Sequence, residues 1–405
     1  MRITYVTETF TPQINGLALT AERTLRHLRG AGHQVELLRP RQGGEAPCNT
    51  LEEWRTAGLS LPLKEDVHWG LASSDAIRRR WHLAGQPPDV VHVATCGPLA
   101  WAALTAARAE GLATSADLRL PLLASESPPD QSRSHCSWLS ALQFEHLERL
   151  HRLADCSFVP TREIANQLAA RGFENLQVLG RGVDGIAFSP HWRDGWLRRD
   201  WRAREHHPVL LYVGLLAVHK NAELALQTFE QLRLEKPSLR MIVVGDGPLR
   251  RELQARHPRV RFAGWQTGTE LARHYASADV CLFPSLTESF GSITLEAMAS
   301  GLALVAFDRA AAGLHVADGK TGFLARPAAG EAAARHFVDA ARKALAAAEP
   351  EHPLRQQARV AALRADWHAT LSVFERRLHR VASHTPSAPR GLGWLTNAEA
   401  QTQQR

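Results

Sequence analysis

Two glutamates eight residues apart, Glu288 and Glu296, lie where the residue types of this chain most clearly suggest chemistry. They belong to the stretch Phe283-Pro-Ser-Leu-Thr-Glu-Ser-Phe-Gly-Ser-Ile-Thr-Leu-Glu296, which predicts a strand end, a polar loop and a helix start. Free N–H groups in a first helical turn bind anions, and carboxylates accept hydrogen bonds from hydroxyl groups. A ligand with both phosphates and hydroxyls, such as a nucleotide sugar, suits this loop. The spacing also allows a plainer interpretation, in which Glu288 caps the helix and Glu296 lies on a solvated face.

A lysine is predicted near the start of another helix, where the stretch Val213-Gly-Leu-Leu-Ala-Val-His-Lys-Asn221 leaves a strand. Lysine binds diphosphate as a point charge, so Lys220 suits the phosphates of the same ligand. The chain has 48 basic residues but only five lysines, which slightly favours this role over that of an ordinary surface lysine.

Two further loops contain glycines that permit a close approach of the backbone to a ligand. The stretch Val243-Val-Gly-Asp-Gly-Pro-Leu249 places Gly245 between a strand and a helix. The stretch Thr9-Phe-Thr-Pro-Gln-Ile-Asn-Gly16 places Gly16 in a turn-rich loop after the first strand. An ordinary strand-to-helix turn and a plain surface turn remain the alternatives.

Several known motifs are absent or incomplete. Gly180-Arg-Gly-Val-Asp-Gly185 has the G-x-G-x-x-G spacing, but Ala187-Phe-Ser-Pro190 breaks the helix that must follow, which disfavours a Rossmann-type dehydrogenase. The sequence has no Walker A motif, no G-x-S-x-G elbow and no H-E-x-x-H. It has no D-x-D pair to hold Mg²⁺ or Mn²⁺ on a diphosphate, so we expect Lys220 and helix dipoles to neutralise the phosphates.

Alternating strands and helices must position these residues. In the first half of the chain, the hydrophobic pattern predicts such strands and helices. A strand at Ile3–Thr7, a helix at Leu17–Arg29 and a strand at Gln34–Leu38 form a βαβ unit of a parallel sheet. The pattern continues with strands at Asp89–Val93, Leu120–Ala124, Ser157–Pro160 and Leu176–Leu179 and helices at Leu99–Ala109, 137–153 and Arg162–Arg171. Residues 1–185 are therefore predicted to be a doubly wound α/β domain.

The second half repeats the pattern after an interruption from Gly180 to about Arg204, which we interpret as an interdomain connection. Its strands are predicted at Val209–Val213, Met241–Val244, Arg261–Phe262, Val280–Phe283 and Ala303–Ala306. A second doubly wound domain thus spans 205–358, a helix at 359–383 crosses back to the first domain, and 384–405 is expected to be a mobile tail. The two domains are expected to face each other across a cleft at the C-terminal ends of their strands.

Composition narrows the class of protein. Of the 405 residues, 44% are hydrophobic and 22% are charged, a composition that indicates a folded rather than a disordered chain. The sequence is not rich in apolar spans and its N-terminus lacks a secretory signal pattern, so we expect a cytoplasmic protein. Five cysteines without a C-x-x-C pair support neither a disulfide framework nor a zinc knuckle. The net charge of +7 comes almost wholly from arginine, and we expect no nucleic-acid partner. The basic run Ile77–His82 would suit an anionic membrane surface, although a solvated helix face is the commoner explanation.

Taken together, these stretches resemble the family 4 retaining glycosyltransferases, which have the two-domain GT-B fold. The resemblance runs from TETFTPQINGLALT through GRGVD, VGLLAVHKN and VVGDGPLR to HYASADVCLFPSLTESFGSITLEAMASGLALVAF, where Glu288 and Glu296 form the family's E-x₇-E signature. Among members of the family, the chain most resembles bacterial GDP-mannose-dependent α-mannosyltransferases. The resemblance implies transfer of a hexose, mannose in those relatives, from a nucleotide sugar to a lipid or lipid-linked glycan acceptor, peripherally at the inner membrane face.

The resemblance also implies a role for each matching residue. Glu288 would hold sugar hydroxyls, Glu296 the ribose and Lys220 the diphosphate. The loop around Gln266 would meet the base, while Gly245 and Gly16 would let the backbone approach the nucleotide. The backbone of Ser289, Phe290, Gly291 and Ser292 would line the sugar and the diphosphate. The reaction would retain the anomeric configuration without any metal or other cofactor.

Two departures from the family leave a second function open. Leu215 occupies the position of a family arginine that normally helps to bind the diphosphate. Relatives keep a histidine or arginine with a threonine near the strand end of the segment Leu120–Ser134, and here Ser127 or nearby Ser125 replaces it. The alternative is a weakened or inactive homologue that binds a nucleotide sugar and acts as a partner or regulatory subunit. The base, the sugar, the acceptor and the oligomeric state are not specified by the sequence.

Overall fold

The computed structural model describes residues 1–13, 16–61, 64–118, 137–285, 288, 290–349 and 351–383. Its contacts divide the chain into two compact units. The first contains the described residues up to Leu179 together with those from Leu371 onward, and the second runs from Gly180 to Thr370.

The boundary lies at Leu179–Gly180, earlier than the predicted end of the first domain at residue 185. The main chain explains the difference, because the amide of Val183 donates to the carbonyl of Ala365 at 2.8 Å. A Cβ on Gly182 would lie 2.4 Å from the backbone of Trp367, so this stretch packs tightly against the second unit's own helices.

The first unit is built on an eight-stranded sheet in the order β4-β3-β2-β1-β5-β6-β7-β8, parallel except for the β3–β4 hairpin. The strands are β1 (Arg2–Val6), β2 (Gln34–Pro40), β3 (Glu53–Leu61), β4 (Lys64–Leu71), β5 (Val90–Val93), β6 (Ala113–Asp117), β7 (Cys156–Val159) and β8 (Leu176–Val178). The helices of its first 179 residues are α1 (Gly16–Gly30), α2 (Ser74–Leu83), α3 (Pro98–Ala109), α4 (Ser137–Leu153) and α5 (Arg162–Ala169).

Strand β6 was not predicted from the sequence. It lies beside β5 at Ala113–Asp117, with Val90 opposite Ala113. The stretch Ala-Thr-Ser-Ala-Asp is buried although it has no large apolar side chain, so its hydrophobic pattern is weak. The hairpin β3–β4 was also missed. Leu120–Ala124 lies outside the described residues.

The second unit is built on a six-stranded parallel sheet in the order β11-β10-β9-β12-β13-β14. The strands are β9 (Val209–Val213), β10 (Arg240–Val244), β11 (Arg261–Gly264), β12 (Val280–Phe283), β13 (Ala303–Phe307) and β14 (Phe323–Ala325). The helices that begin in this unit are α6 (Gly195–Asp200), α7 (Ala222–Glu235), α8 (Arg250–Arg256), α9 (Gly268–Ser277), α10 (Ser292–Ala299), α11 (Ala310–His315), α12 (Gly330–Ala346), α13 (Pro353–Leu363) and α14 (Trp367–Ser383). Strand β9 is buried throughout, as in sheets covered by helices on both faces.

The last two helices replace the single helix predicted at 359–383. Helix α13 ends at Leu363, and α14 begins at Trp367 after Asp366, whose carboxylate accepts a hydrogen bond from the amide of Ala369 at 2.6 Å. From Leu371, α14 belongs to the first unit, where Phe374 and Leu378 are buried. The predicted tail 384–405 lies outside the described residues.

The stretch predicted to be a connection is instead anchored to the second unit by Asp279. This buried carboxylate lies 3.0 Å from Arg193, 3.1 Å from Arg198 and 3.4 Å from Arg355, and it accepts a hydrogen bond from the amide of Val209 at 2.9 Å. Arginines from the stretch before the six-stranded sheet and from α13 after it therefore contact the same carboxylate as the first residue of β9.

The first unit contains a buried acid, Glu8, directly after β1. One of its oxygens accepts a hydrogen bond from the amide of Leu99 at 3.0 Å, at the start of α3, and the amide of Gly70 donates to the same carboxyl. Burial raises the pKa of Glu8 to about 7 despite these two hydrogen bonds, which oppose the rise. A Cβ on Gly97 would collide with this carboxyl group.

The raised pKa predicts a pH-dependent stability. Between about pH 4.5 and about pH 7 the folded state holds a proton on Glu8 that the unfolded state has released, so the free energy of unfolding should fall as pH rises. A shift of this size corresponds to about 3 kcal/mol. Glu8→Gln should remove most of that slope in chemical denaturation measured across this range. An identical slope in wild type and variant would contradict the prediction.

Candidate functional site

Lys220 and Glu288 are brought together by two neighbouring strands of the second unit. Strand β9 ends at Val213 and leads to a 3₁₀ turn at Val218–Lys220, while β12 ends at Phe283 and leads to Glu288. These strands pair directly, with Val280 opposite Leu210. Because parallel strands end at the same edge of a sheet, the two loops that follow them are adjacent.

The contact between the two side chains is close. The Nζ of Lys220 lies 2.5 Å from Oε1 of Glu288, and the hydroxyl of Ser285 donates to the same oxygen at 2.8 Å. The side chains of Lys220 and Glu288 are 21% and 12% exposed, so this pair is reachable from solvent but largely sheltered. The side-chain amide of Asn221 donates to the carbonyl of Pro284 at 3.3 Å and joins the two loops.

The loop after Glu288 ends at a helix N-terminus, as the sequence predicted. Gly291 precedes α10 with a φ of +88°, in the left-handed region that glycine adopts readily, and a Cβ there would lie 3.2 Å from the ring of Phe283. Glycine has no side chain to cap the helix, so the helical N–H groups beginning at Ser292 are suited to an external acceptor. Phe290 is buried beside them, and Ser289 lies outside the described residues.

Glu296 is held in place by a residue that sequence reasoning missed. The hydroxyl of Tyr275, on α9, donates to Oε2 of Glu296 at 2.9 Å. Tyr275 is fully buried, and burial together with the neighbouring Glu296 raises its pKa well above the ordinary range, so it remains a proton donor. Glu296 is half-buried rather than on a fully solvated face. Nothing local in the sequence links the two residues, which lie 21 positions apart.

Gly245 directly follows β10, the strand beside β9, and so lies at the same edge of the sheet as Lys220. It has a φ of +137°, and a Cβ there would be 1.9 Å from the carbonyl oxygen of Gly214, so only glycine fits between these loops. Gln266 follows β11 and its side-chain amide donates to the carbonyl of Ala263 at 3.0 Å. Strands β11, β10, β9 and β12 are adjacent, and the loops after them therefore place Gln266, Gly245, Lys220 and Glu288 along one edge.

The surroundings of Lys220 shift the pKa values of two neighbouring side chains towards their uncharged forms. Burial and the charge of Lys220 lower the pKa of His219, although Glu288 opposes the shift. Burial and then Glu288 raise the pKa of Tyr212, whose hydroxyl donates to the carbonyl of Leu215 at 3.2 Å. Leu215 itself is 42% exposed and brings no charge to this loop.

The contacts described above do not include the remaining two predicted site residues. Gly16 is the first residue of α1, in the first unit, and its carbonyl accepts a hydrogen bond from the hydroxyl of Thr20 at 2.6 Å. Ser127 lies outside the described residues. The roles assigned to both remain predictions.

Comparison with known proteins identifies the family. Residues 14–185 match a family model described as Glycosyltransferase Family 4, and residues 207–345 match one described as Glycosyl transferases group 1. A GDP-mannose-dependent alpha-mannosyltransferase of Mycobacterium tuberculosis is 33% identical over 320 residues, which cover 76% of this chain and 79% of that protein. The chain belongs to glycosyltransferase family 4. A GDP-mannose-dependent alpha-mannosyltransferase of Mycolicibacterium smegmatis is 32% identical to this family 4 chain over 330 residues, which cover 80% of this chain and 84% of that protein.

Solved structures show the same fold for this family 4 member. A sucrose-phosphate synthase from Thermosynechococcus elongatus has a TM-score of 0.75 at 17% identity, covering 94% of this chain and 99% of that one. WaaG, a glycosyltransferase involved in lipopolysaccharide biosynthesis, has a TM-score of 0.65 at 18% identity, covering 94% and 100%. The predicted GT-B fold with two Rossmann-like domains is confirmed, as is the predicted family.

Within the described residues, no helix of this family 4 chain is both long and apolar enough to cross a bilayer.

Proposed function

We propose that the chain transfers a mannosyl group from GDP-mannose to a lipid or lipid-linked glycan acceptor, with retention of the anomeric configuration and without a metal ion. Two relatives that are 33% and 32% identical and are named GDP-mannose-dependent alpha-mannosyltransferase support the donor and the sugar. The contact of Lys220 with Glu288, beside the N-terminus of α10, is the observation that carries the proposal.

In the proposed donor complex, these groups exchange partners. Lys220 leaves Glu288 and binds the diphosphate, and the N–H groups that start α10 at Ser292 bind the same anion. The freed carboxylate of Glu288 accepts hydrogen bonds from sugar hydroxyls. Glu296, oriented by Tyr275, takes the ribose hydroxyls, and the loop around Gln266 meets the base.

The proposed reaction needs only the substrates and these groups. The acceptor oxygen forms a bond to the anomeric carbon on the face from which the diphosphate leaves, and the acceptor proton passes to a diphosphate oxygen. The developing negative charge is stabilised by Lys220 and by the α10 dipole, which act where charge appears in the transition state. Gly16 and Ser127 are proposed to approach the donor from the first domain.

The absence of a D-x-D pair in the sequence supports metal independence. Chelator treatment should therefore leave the rate of transfer unchanged. A loss of activity that Mg²⁺ or Mn²⁺ restores would contradict this part of the proposal.

Calorimetric titration with GDP, UDP and ADP tests the donor most directly. We expect saturable binding of GDP and much weaker binding of UDP and ADP, followed by transfer from GDP-mannose with α-configured product by NMR. Preferential binding of UDP or ADP would move the proposal to another nucleotide sugar. Nucleotide binding without any transfer would favour the weakened homologue.

A cytoplasmic location with peripheral membrane contact belongs to the same proposal. The basic run on α2 is partly neutralised, because Arg78 binds Glu110 at 2.6 Å and Arg80 binds Glu36. Arg79 is exposed and is the arginine of this run most accessible to an anionic surface. Arg79→Ala should reduce the fraction of the protein that sediments with anionic vesicles. An unchanged fraction would mean that this basic run does not contact the membrane.

The alternative is a weakened or inactive homologue that binds a nucleotide sugar as a partner or regulatory subunit. Leu215, exposed in the loop before Lys220, supports it because it lacks the charge expected there.

Leu215→Arg discriminates between the two functions. If the native site compensates for the missing charge, the variant should transfer sugar at a rate close to wild type. Val218→Arg is a matched control, since it adds the same charge at a 75% exposed position of the same loop. A gain of about tenfold or more in the Leu215 variant alone, the effect of one charge-assisted contact, would support the weakened homologue.

A further inference from the structure

Three histidines and a glutamate converge in the first unit. The Nε2 atoms of His27 and His33 lie 3.0 Å from Oε2 and Oε1 of Glu375, respectively. His379 joins them, and the nearest ligand atoms of His33, Glu375 and His379 all lie within 4.8 Å of one another. No other set of three or more histidine, cysteine, aspartate or glutamate side chains within the described ranges has this property.

The fold holds these residues together without help from the histidines. Glu375 and His379 are four positions apart on α14, so they lie on the same helix face, while His27 lies on α1 and His33 just after it. An adjoining side of α14 buries Phe374 and Leu378 among the core residues that α1 and β1 also contribute. The cluster is therefore a junction between the first and last helices of this unit.

The ligand chemistry is that of a zinc site. Imidazole nitrogens and a carboxylate oxygen bind Zn²⁺ at about 2.0–2.2 Å in tetrahedral geometry, which requires ligand atoms about 3.4 Å apart. Glu375 already lies 3.0 Å from two of the imidazoles, and the exposed His379 can approach by rotation of its side chain.

We propose that His33, Glu375 and His379, with His27 as the fourth ligand, bind a zinc ion that fastens α14 to the first unit. The role is structural, and it is independent of the proposed transfer reaction, whose donor residues lie in the second unit.

A second contact positions the ring of His33. Nδ1 of His33 lies 3.2 Å from the main-chain nitrogen of Met1. This contact and the one between Nε2 and Glu375 fix the orientation of the His33 ring, with Nε2 facing the carboxylate.

The test uses the full chain after removal of metals with a chelator. Calorimetric titration with ZnCl₂ should show one saturable site, and zinc should raise the thermal midpoint. The double variant His33→Ala/His379→Ala should bind zinc about 100-fold more weakly or not at all. Loss of a residue that only orients a ligand weakens metal binding by about 10- to 100-fold, so loss of two ligands should reach or exceed the upper limit of that range. Co²⁺ should give the intense visible absorption of a tetrahedral site in wild type and not in the double variant.

Two histidine variants outside the cluster serve as controls. His368→Ala removes an exposed histidine of the same helix, and His206→Ala disrupts the neighbouring rings of His206 and His207, whose centroids lie 4.7 Å apart. Both should bind zinc as wild type does. An equal metal-free thermal midpoint in wild type and double variant shows that the variant is folded.

Three results would overturn the proposal: no saturable uptake of zinc by wild type, uptake that persists in the double variant, or uptake lost with His206→Ala. In each case, the cluster would be a set of histidine–carboxylate hydrogen bonds without a metal. Chelator should lower the thermal midpoint while leaving transfer unchanged, so failure of the zinc site is distinguishable from failure of the proposed function.

Discussion

Lys220→Ala should lower kcat/KM for the nucleotide sugar by about 10- to 150-fold, the equivalent of one charge-assisted contact of about 1.5–3 kcal/mol. The side chain lies 2.5 Å from Glu288 and is 21% exposed, so it can turn to a phosphate without rearrangement of the sheet. Because Leu215 supplies no second charge, we expect the loss to lie in the upper part of that range. Steady-state kinetics with varied donor measures the effect, and calorimetry with GDP should show weaker binding in parallel.

The control is another lysine. Lys320 is exposed and lies between α11 and β14, not in one of the loops that follow β9, β10, β11 and β12. Lys320→Ala should therefore leave kcat/KM unchanged. Glu288→Gln should also reduce transfer, since an amide cannot replace the carboxylate towards both Lys220 and the sugar hydroxyls. If Lys220→Ala and Glu288→Gln both transfer at the wild-type rate, the donor does not bind at this edge of the sheet.

The sequence could predict the donor-side residues because their positions depend on local structure. Glu288 follows β12 and Lys220 follows β9, and both strands are continuous apolar runs that alternate with helices. Parallel strands then bring the two loops to one edge. What could not be predicted is how side chains meet: the hydrogen bond from Tyr275 to Glu296 depends on the packing of α9 against α10, which no local pattern encodes.

The errors in the fold have the same origin. The pattern located β9 and β12 at their observed bounds, because large apolar residues fill them. Strand β6 was missed because alanine, threonine and serine are buried there by their neighbours rather than by their own hydrophobicity. The stretch from 180 to 204 was taken for a connection because its attachment depends on the distant Asp279, a contact between residues about 80 positions apart.

Asp279→Ala should destabilise the second unit by about 3–5 kcal/mol, the cost of leaving buried charges without their partner. Arg198 and Arg355 are 4% and 7% exposed, and both lose their carboxylate in this variant. The amide of Val209, at the start of β9, also loses its acceptor. Denaturation followed by circular dichroism measures the change, which is a large share of the 5–15 kcal/mol that stabilises a typical domain.

A surface pair provides the comparison that isolates burial. Asp200 lies 2.5 Å from Arg261, but the two side chains are 56% and 51% exposed, so Asp200→Ala should cost about 0–1 kcal/mol. Asp279→Asn keeps one acceptor oxygen and should fall between the two. Equal stability losses for Asp279→Ala and Asp200→Ala would mean that water reaches the arginines around Asp279. The stretch from 180 to 204 would then be held by its apolar contacts, such as those of the buried Trp201, rather than by this anion.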